Sequence, residues 1–253
     1  MAIAITRLPS RAIANCALTY IERITIDYDR AVQQHAAYRD ALKACGMEVV
    51  TLPPAEDLAD SVFVEDTAII LDEIAIMTPL GIESRRPEAA LNEPEIARYR
   101  PTIHIELPAT IEGGDVLRVG KSIYVSPSTR TNQAGIEALR QLAAPYGYSV
   151  TAVTLRDCLH LKSGCTALDD ETILVHQPSI DTSVFKGYRL LEVAEGETGA
   201  ANVVRANGTI LLNSQYAATA ERIAQQGYAV CAVDTSEFTK AEAAMTCMSL
   251  IVN

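Results

Sequence analysis

Reactive side chains stand far apart along the chain: Cys247 in "MTCMS", His160 in "LHLKSG", Glu112 in "IEGGD" and the pair Glu65-Asp66 in "VFVEDTA". A thiol with an imidazole beside it suits nucleophilic catalysis. Thiolate is the attacking form, and a histidine both protonates a leaving group and takes a proton from water. Carboxylates nearby orient the imidazole and hold a cationic substrate, whose charge favours the thiolate. Taken singly, Cys247 reads as a small core hydrophobe in a short apolar strand. What separates the two readings is whether the fold brings these positions together.

The frame that must do so is a repeat. Apolar runs come as paired alternating segments joined by tight polar turns: at Asp72-Glu73 in "VFVEDTAIILDEIAIMT", at Gly120-Lys121 in "DVLRVGKSIYVS", at Asp169-Asp170 in "TALDDETILVH" and at Asn207-Gly208 in "NVVRANGTILLN". Asn-Gly between such segments is the strongest short hairpin signal, and spacings of ~20–50 residues mark repeat architectures. A helix and another strand follow: "TNQAGIEALRQLAAPYG" leads to "YSVTAVTL", and "AATAERIAQQG" to "YAVCAVD", each helix closing on a glycine suited to a left-handed cap. The helices after the first and third hairpins are weaker, "NEPEIARYR" and "SIDTSVFKG". "DYDRAVQQHAAYRDALKACG" with "MEVVTLPP" lacks its own hairpin, which "CMSLIVN" paired with "MAIAITR" supplies, closing a fivefold ring with no sheet edge open. A doubly wound parallel sheet does not suit strands joined by two-residue turns. On this frame Glu65 and Asp66 fall in the first strand of one hairpin, Glu112 just before the next, His160 just before the third and Cys247 at the start of the terminal one. Equivalent stations of a ring lie at one level around its axis, so the thiol, imidazole and carboxylates converge.

Composition narrows the partners. A chain of 253 residues with 49% hydrophobic and 21% charged residues is ordinary for a globular protein, and its net charge of -11 repels phosphate backbones and anionic lipid. The expected partner is a small cationic molecule, with no nucleic acid and no membrane; a homodimer stays open. The start reads as a strand rather than a signal peptide, and the six scattered cysteines, none in a C-x-x-C pair, read as free thiols of a reducing cytoplasm. His35, His104 and His176 lack reactive neighbours and read as structural. "GGDVLRVGKS" has five residues between Gly114 and Gly120 where a phosphate loop needs four, so no nucleotide site is read there. "NGT" at Asn207 is a glycosylation sequon by pattern, but the same residues make a good turn. Arg86 reads as a surface charge.

The motifs "SVFVEDTA", "GIESRRPE", "IEGGDVLRVG", "STRTNQAG", "LHLKSG" and the terminal "TCMS", in this order through nearly the whole chain, resemble the dimethylarginine dimethylaminohydrolases of the guanidino-modifying (pentein) superfamily. The resemblance implies one catalytic domain over residues 1–253, an α/β fold of five propeller blades, and hydrolysis of N-methylated arginine to citrulline and a methylamine without metal or organic cofactor. It implies that Cys247 attacks the guanidinium carbon, that His160 protonates the leaving amine and then activates water, and that Glu112 orients His160. Asp66 holds the guanidinium nitrogens, with Glu65 and Asp60 lining the same pocket. Arg85 and Arg130 match the ligands of the substrate carboxylate, Leu18 lies in a mobile lid, and Ala241 stands where backbone receives the substrate's amino end. Zinc on the thiol and histidine is an expected inhibitor. Arginine deiminases of the superfamily carry an acidic residue two positions after the histidine; here it is Lys162, which suits a methylated guanidinium. An Asp-Gly pair common before the cysteine is replaced by Ala241, Glu242, Ala243 and Ala244, which leaves a relative acting on arginine itself as the alternative enzyme. A non-catalytic binding protein on the same propeller is the alternative from a different class.

Overall fold

A computed structural model describes residues 2–253. β1 (Ile3–Arg7) and β2 (Glu48–Leu52) run parallel, joined by α1 (Tyr28–Ala44). β3 (Ala68–Ile70), β4 (Ala75–Met77) and β5 (Thr102–His104) form the next sheet, with α2 (Pro87–Ile96) crossing between the last two. β6 (Val116–Val119), β7 (Ser122–Val125) and β8 (Ser149–Ala152) follow, with α3 (Gln133–Ala143) as the crossing helix. The one-turn α4 (Leu161–Gly164) introduces β9 (Cys165–Ala167), β10 (Thr172–Val175) and β11 (Arg189–Glu192). β12 (Val204–Ala206), β13 (Thr209–Asn213), α5 (Ala217–Gln225) and β14 (Ala229–Val233) complete the next unit. After α6 (Ser236–Thr239) the chain returns as β15 (Leu250–Val252), antiparallel to β1, with Ile5 opposite Leu250 and Ile3 opposite Val252. The two ends therefore do make the fifth hairpin.

Local chemistry explains the elements. Asn207 and Gly208 take φ values of 47° and 87°, the left-handed pair that a type I′ turn requires. Asp27 and Asn132 accept the backbone N–H of Arg30 and Gly135 and so cap α1 and α3, while Gly46, Gly147 and Gly227 sit at positive φ where the expected left-handed caps fall. Ile136, Leu139 and Ala143 put one apolar face of α3 onto the sheets of the β3 and β6 units.

Three expectations need correction. The ring is five separate three-stranded sheets, not one sheet without edges. The first strands β3, β6, β9, β12 and β15 splay around a central channel of about 770 Å³ instead of pairing with one another. Second, Glu65 and Asp66 do not lie in a strand, and neither does Cys247: they occupy 3-10 helical turns, Val64–Thr67 and Thr246–Met248, just before β3 and β15. Equivalent helical turns precede the other hairpins at Gly113–Asp115, Leu161–Gly164 and Thr198–Ala201. Third, α2 begins at Pro87, before the segment expected to be helical, and the unit holding Pro178 crosses through two 3-10 turns, Gln177–Ser179 and Thr182–Val184, in place of a helix.

Candidate active site

The turns that open four of the five units point their side chains toward one place. Cys247, His160, Asp60, Asp66, Arg85, Arg130 and Ala241 line a single cavity, whose volume of about 20 Å³ leaves room for one water. Phe63, Leu159, Ala17, Glu242 and Ala243 complete its wall. Glu112 stands behind it, fully buried.

His160 is the residue before α4, in extended backbone, and its Nε2 lies 3.0 Å from Glu112 Oε2. The other Glu112 oxygen accepts the Gly81 N–H at 3.0 Å, and the Glu112 amide is itself held by Thr131 Oγ1. Burial alone would push His160 down, but Asp115, Asp66 and Glu112 raise it from its ordinary 6.5 to about 9, so at neutral pH it is an imidazolium. Asp115 was not singled out in the sequence. It is buried, its own acidity weakened by that burial, and it takes hydrogen bonds from Ser126, Ser128 and the Leu161 N–H. It therefore fixes the start of α4 from the same side as it charges the histidine. The imidazole is also pressed against backbone: a Cβ on Gly114 would lie 2.6 Å from His160 Nδ1. Gly114→Ala should thus displace the ring and cut turnover by about 100-fold, as a misplacement near 1 Å can do, with little change in far-ultraviolet circular dichroism. Unchanged steady-state kinetics would show that the ring position does not matter.

Cys247 sits at the middle of its turn with the Ala244 N–H directed at Sγ, 3.4 Å away. Burial, then the charges of Glu65 and Asp66, push the thiol well up from its ordinary value; the Ala244 amide and Arg85 oppose them without prevailing. Without a ligand the sulfur is a thiol. A cation bound against it reverses part of that balance.

The carboxylates are not equivalent. Asp66 is buried, which works against its charge, yet Arg85 and His160 outweigh burial and hold it below the usual carboxylate range. Its Oδ2 accepts Arg85 Nη1 at 2.8 Å and its Oδ1 the Gly114 N–H at 3.0 Å. Arg85 is largely committed to the protein: Nε and Nη2 grip Glu88, Nη2 also reaches the Phe63 carbonyl, and Nη1 is left with a single free donor. Glu88, in the first turn of α2, ends the motif "GIESRRPE" and is pushed up to about 7 by burial. Arg130 is less committed, giving Nη2 to Thr19 Oγ1 at 2.9 Å and standing 3.9 Å from Glu112. Asp60 accepts the Ala17 N–H, and burial raises its pKa.

Glu65, expected to line the pocket, lies elsewhere. It faces the central channel, where Oε1 takes Lys162 Nζ and Oε2 takes Thr246 Oγ1, both at 2.6 Å. Thr246 is held in turn by Asn202, at the end of the turn before β12, so the Cys247 turn is tied to its neighbours on both sides. Leu18, expected in a lid over the site, packs half-buried against the hydrophobic cluster that includes Ala241 and Phe238, while the adjacent Ala17 lines the cavity. In the Ala241–Ala244 turn Glu242 takes φ 56°, a left-handed conformation that costs a non-glycine residue roughly 1–2 kcal/mol.

Asp66, Glu112 and His160 have ligand atoms within 4.8 Å of one another, a donor set a metal ion could use. An ion there must displace the proton that His160 keeps up to about pH 9 and share Asp66 with Arg85. Of the remaining histidines, His35 is wholly buried and pushed down to about 3 by that burial, His104 pairs with Glu93, and His176 bonds Ser179. All six cysteines are free, and no helix among the described residues is long and apolar enough to cross a membrane.

Five three-stranded units around an axis, four of them ββαβ and one crossing through 3-10 turns, with the reactive groups on the turns that open them, are the architecture of the pentein fold. The family described as "N,N dimethylarginine dimethylhydrolase, eukaryotic" matches residues 18–186. The N(G),N(G)-dimethylarginine dimethylaminohydrolase of Streptomyces coelicolor is 41% identical over 98% of this chain and 95% of its own. That of Pseudomonas aeruginosa is 37% identical over 97% of each chain. A solved structure of the Pseudomonas protein, a cysteine-to-serine mutant complexed with citrulline, superposes with a TM-score of 0.94 at 36% identity, covering 98% of both chains. The N-terminal domain of a cyanobacterial arginine dihydrolase shares the fold, with a TM-score of 0.90 at 19% identity over 100% of this chain and 98% of the domain chain. The chain belongs to the dimethylarginine dimethylaminohydrolase family.

Proposed function

We propose that this protein hydrolyses an Nω-methylated L-arginine, asymmetric dimethylarginine or monomethylarginine, to L-citrulline and the corresponding methylamine, through an S-alkylthiouronium on Cys247. The observation that carries the reading is the convergence of Cys247, a protonated His160 and an ionised Asp66 on one cavity. The substrate guanidinium lies on Asp66, and its charge draws the thiol toward thiolate, the proton passing to solvent. Sγ bonds the guanidinium carbon, and His160 gives its proton to the methylated nitrogen as that C–N bond breaks. Now neutral, His160 takes a proton from water as the oxygen adds to the same carbon. The C–S bond breaks, the sulfur leaves as thiolate, the remaining hydroxyl proton passes to solvent, and the carbonyl of citrulline remains.

The substrate carboxylate goes to Arg130, with the last free donor of Arg85, because the rest of Arg85 is held by Asp66, Glu88 and Phe63. The Ala241 backbone and the Leu18 loop receive the amino end. Lys162 pairs with Glu65 in the channel, so its charge is spent outside the pocket, and Asp66, with Asp60 in the same wall, faces a guanidinium bearing apolar methyl groups. The stretch 1–253 acts as one catalytic domain, needs no metal or organic cofactor, and its free thiols support the cytoplasm as its compartment.

Incubation of the purified protein with asymmetric dimethylarginine, monomethylarginine and arginine, with citrulline and released amine measured, tests the reading. Methylated substrates should be turned over with a higher kcat/KM than arginine. Absence of turnover with all three sinks the hydrolase reading, and preference for arginine turns it into a deiminase.

A further inference from the structure

The segment over the cavity, residues 16–27, has no regular secondary structure, and from Ala17 to Ile26 none of its backbone groups bonds another backbone group among the described residues. Of its apolar side chains Cys16 and Ile26 are buried and Leu18 half-buried at the core, but Tyr20, Ile21 and Ile24 between them are 54%, 41% and 56% exposed. Across that stretch the ties are charged. Asp60 takes the Ala17 N–H, Arg130 the Thr19 hydroxyl, and Lys240 reaches the Thr25 carbonyl. The densest tie is Glu242, whose Oε2 accepts the Thr19 N–H at 2.8 Å and whose Oε1 accepts the Ile21 N–H at 2.7 Å and the Tyr20 N–H as well. Three successive amides thus close on one carboxylate, borne by a residue held at φ 56°.

We propose that Glu242 is a positioning residue that latches residues 17–21 over the cavity and so sets the backbone around Leu18 against the amino-acid end of the substrate. This rests on the reading of the site given above. Glu242 and Ala17 both line the 20 Å³ cavity, which admits no arginine until the segment lifts. Lifting it breaks three charge-assisted bonds together, and closing it restores them. The strained backbone at 242 aims the carboxylate, and the bonds it makes offset that strain. Through Thr19 the latch also meets Arg130, the arginine left with most free donors for a carboxylate.

Two readouts test the latch without relying on turnover. Alkylation of Cys247 by iodoacetamide, followed by mass spectrometry of the C-terminal peptide, reports how often the segment lifts. Hydrogen exchange of the peptide spanning 17–24 reports the three amides directly. Glu242→Ala should speed alkylation about tenfold, the weight of one charge-assisted bond, and raise exchange in that peptide while leaving α1 and β1 as slow as before. Glu242→Gln, which keeps one carbonyl oxygen in nearly the same place, should fall between wild type and Glu242→Ala; it also carries the test where the alanine variant does not fold. Wild-type rates in both variants, or a rise in exchange spread over the whole chain, would overturn the latch. Citrulline release by the wild type is measured alongside: its absence sinks the reaction while the two readouts still judge the latch, and its presence with unmoved readouts sinks the latch alone.

Discussion

Cys247→Ser should abolish citrulline formation, a fall of about 10⁴-fold or more, with the fold intact. The serine hydroxyl is nearly the same size and still accepts the Ala244 N–H, so the Thr246–Met248 turn keeps its ties to Glu65 and Asn202. What is lost is nucleophilicity. A neighbouring cation can pull the Cys247 thiol down from its raised value far enough to attack, but a serine hydroxyl starts several units higher and His160, already protonated, cannot take its proton. Mass spectrometry of acid-quenched wild-type mixtures should show the thiouronium adduct on the C-terminal peptide, and the serine variant should show none. Cys45→Ser, at the end of α1 and outside the cavity, should turn over normally. Equal behaviour of the two variants removes Cys247 as the nucleophile.

The repeat was legible because its signals are local. Two-residue turns at Gly120-Lys121 and Asn207-Gly208 fall where expected, and glycines end the helices that precede β2, β8 and β14. The pairing of β1 with β15 followed from counting units, a long-range contact that no local signal carries. The helical turns before each hairpin were not legible, since three or four residues have no periodicity and the apolar content of "VFVEDTA" resembles a strand. Those turns matter most for the site. The turn Val64–Thr67 sends Asp66 into the cavity and Glu65 into the channel. Of the site, the residues to which the family pattern gives a task could be named; Glu88 and Asp115 stand inside "GIESRRPE" and "IEGGDVLRVG" but could not be given a role, because each acts through Arg85 or His160 by a contact that only the fold shows. Glu242 stood in plain view as a departure from the usual turn, but only the fold shows its carboxylate reaching residues 19–21.

His160→Gly should separate the two halves of the reaction. With asymmetric dimethylarginine the leaving amine needs a proton, and loss of the acid should lower turnover by about 10³- to 10⁴-fold. S-methyl-L-thiocitrulline offers a thiol leaving group that departs without one, so it should still form the adduct on Cys247. Hydrolysis then lacks its base and the adduct should accumulate to one equivalent; rapid turnover of that probe would remove His160 from the second step. The same residue sets the pH behaviour. In the wild type, acid catalysis should fail as pH rises through about 9, where the imidazolium loses its proton. Stability has the same sign: the folded pKa of His160 lies above its unfolded value, so its contribution is complete below about 6.5 and is lost between 6.5 and 9. The melting temperature of the wild type should therefore fall across that window, and that of His160→Gly should fall less. A parallel decline in both would mean that Asp66, Asp115 and Glu112 do not charge the histidine, and that the proton for the leaving amine comes from another group.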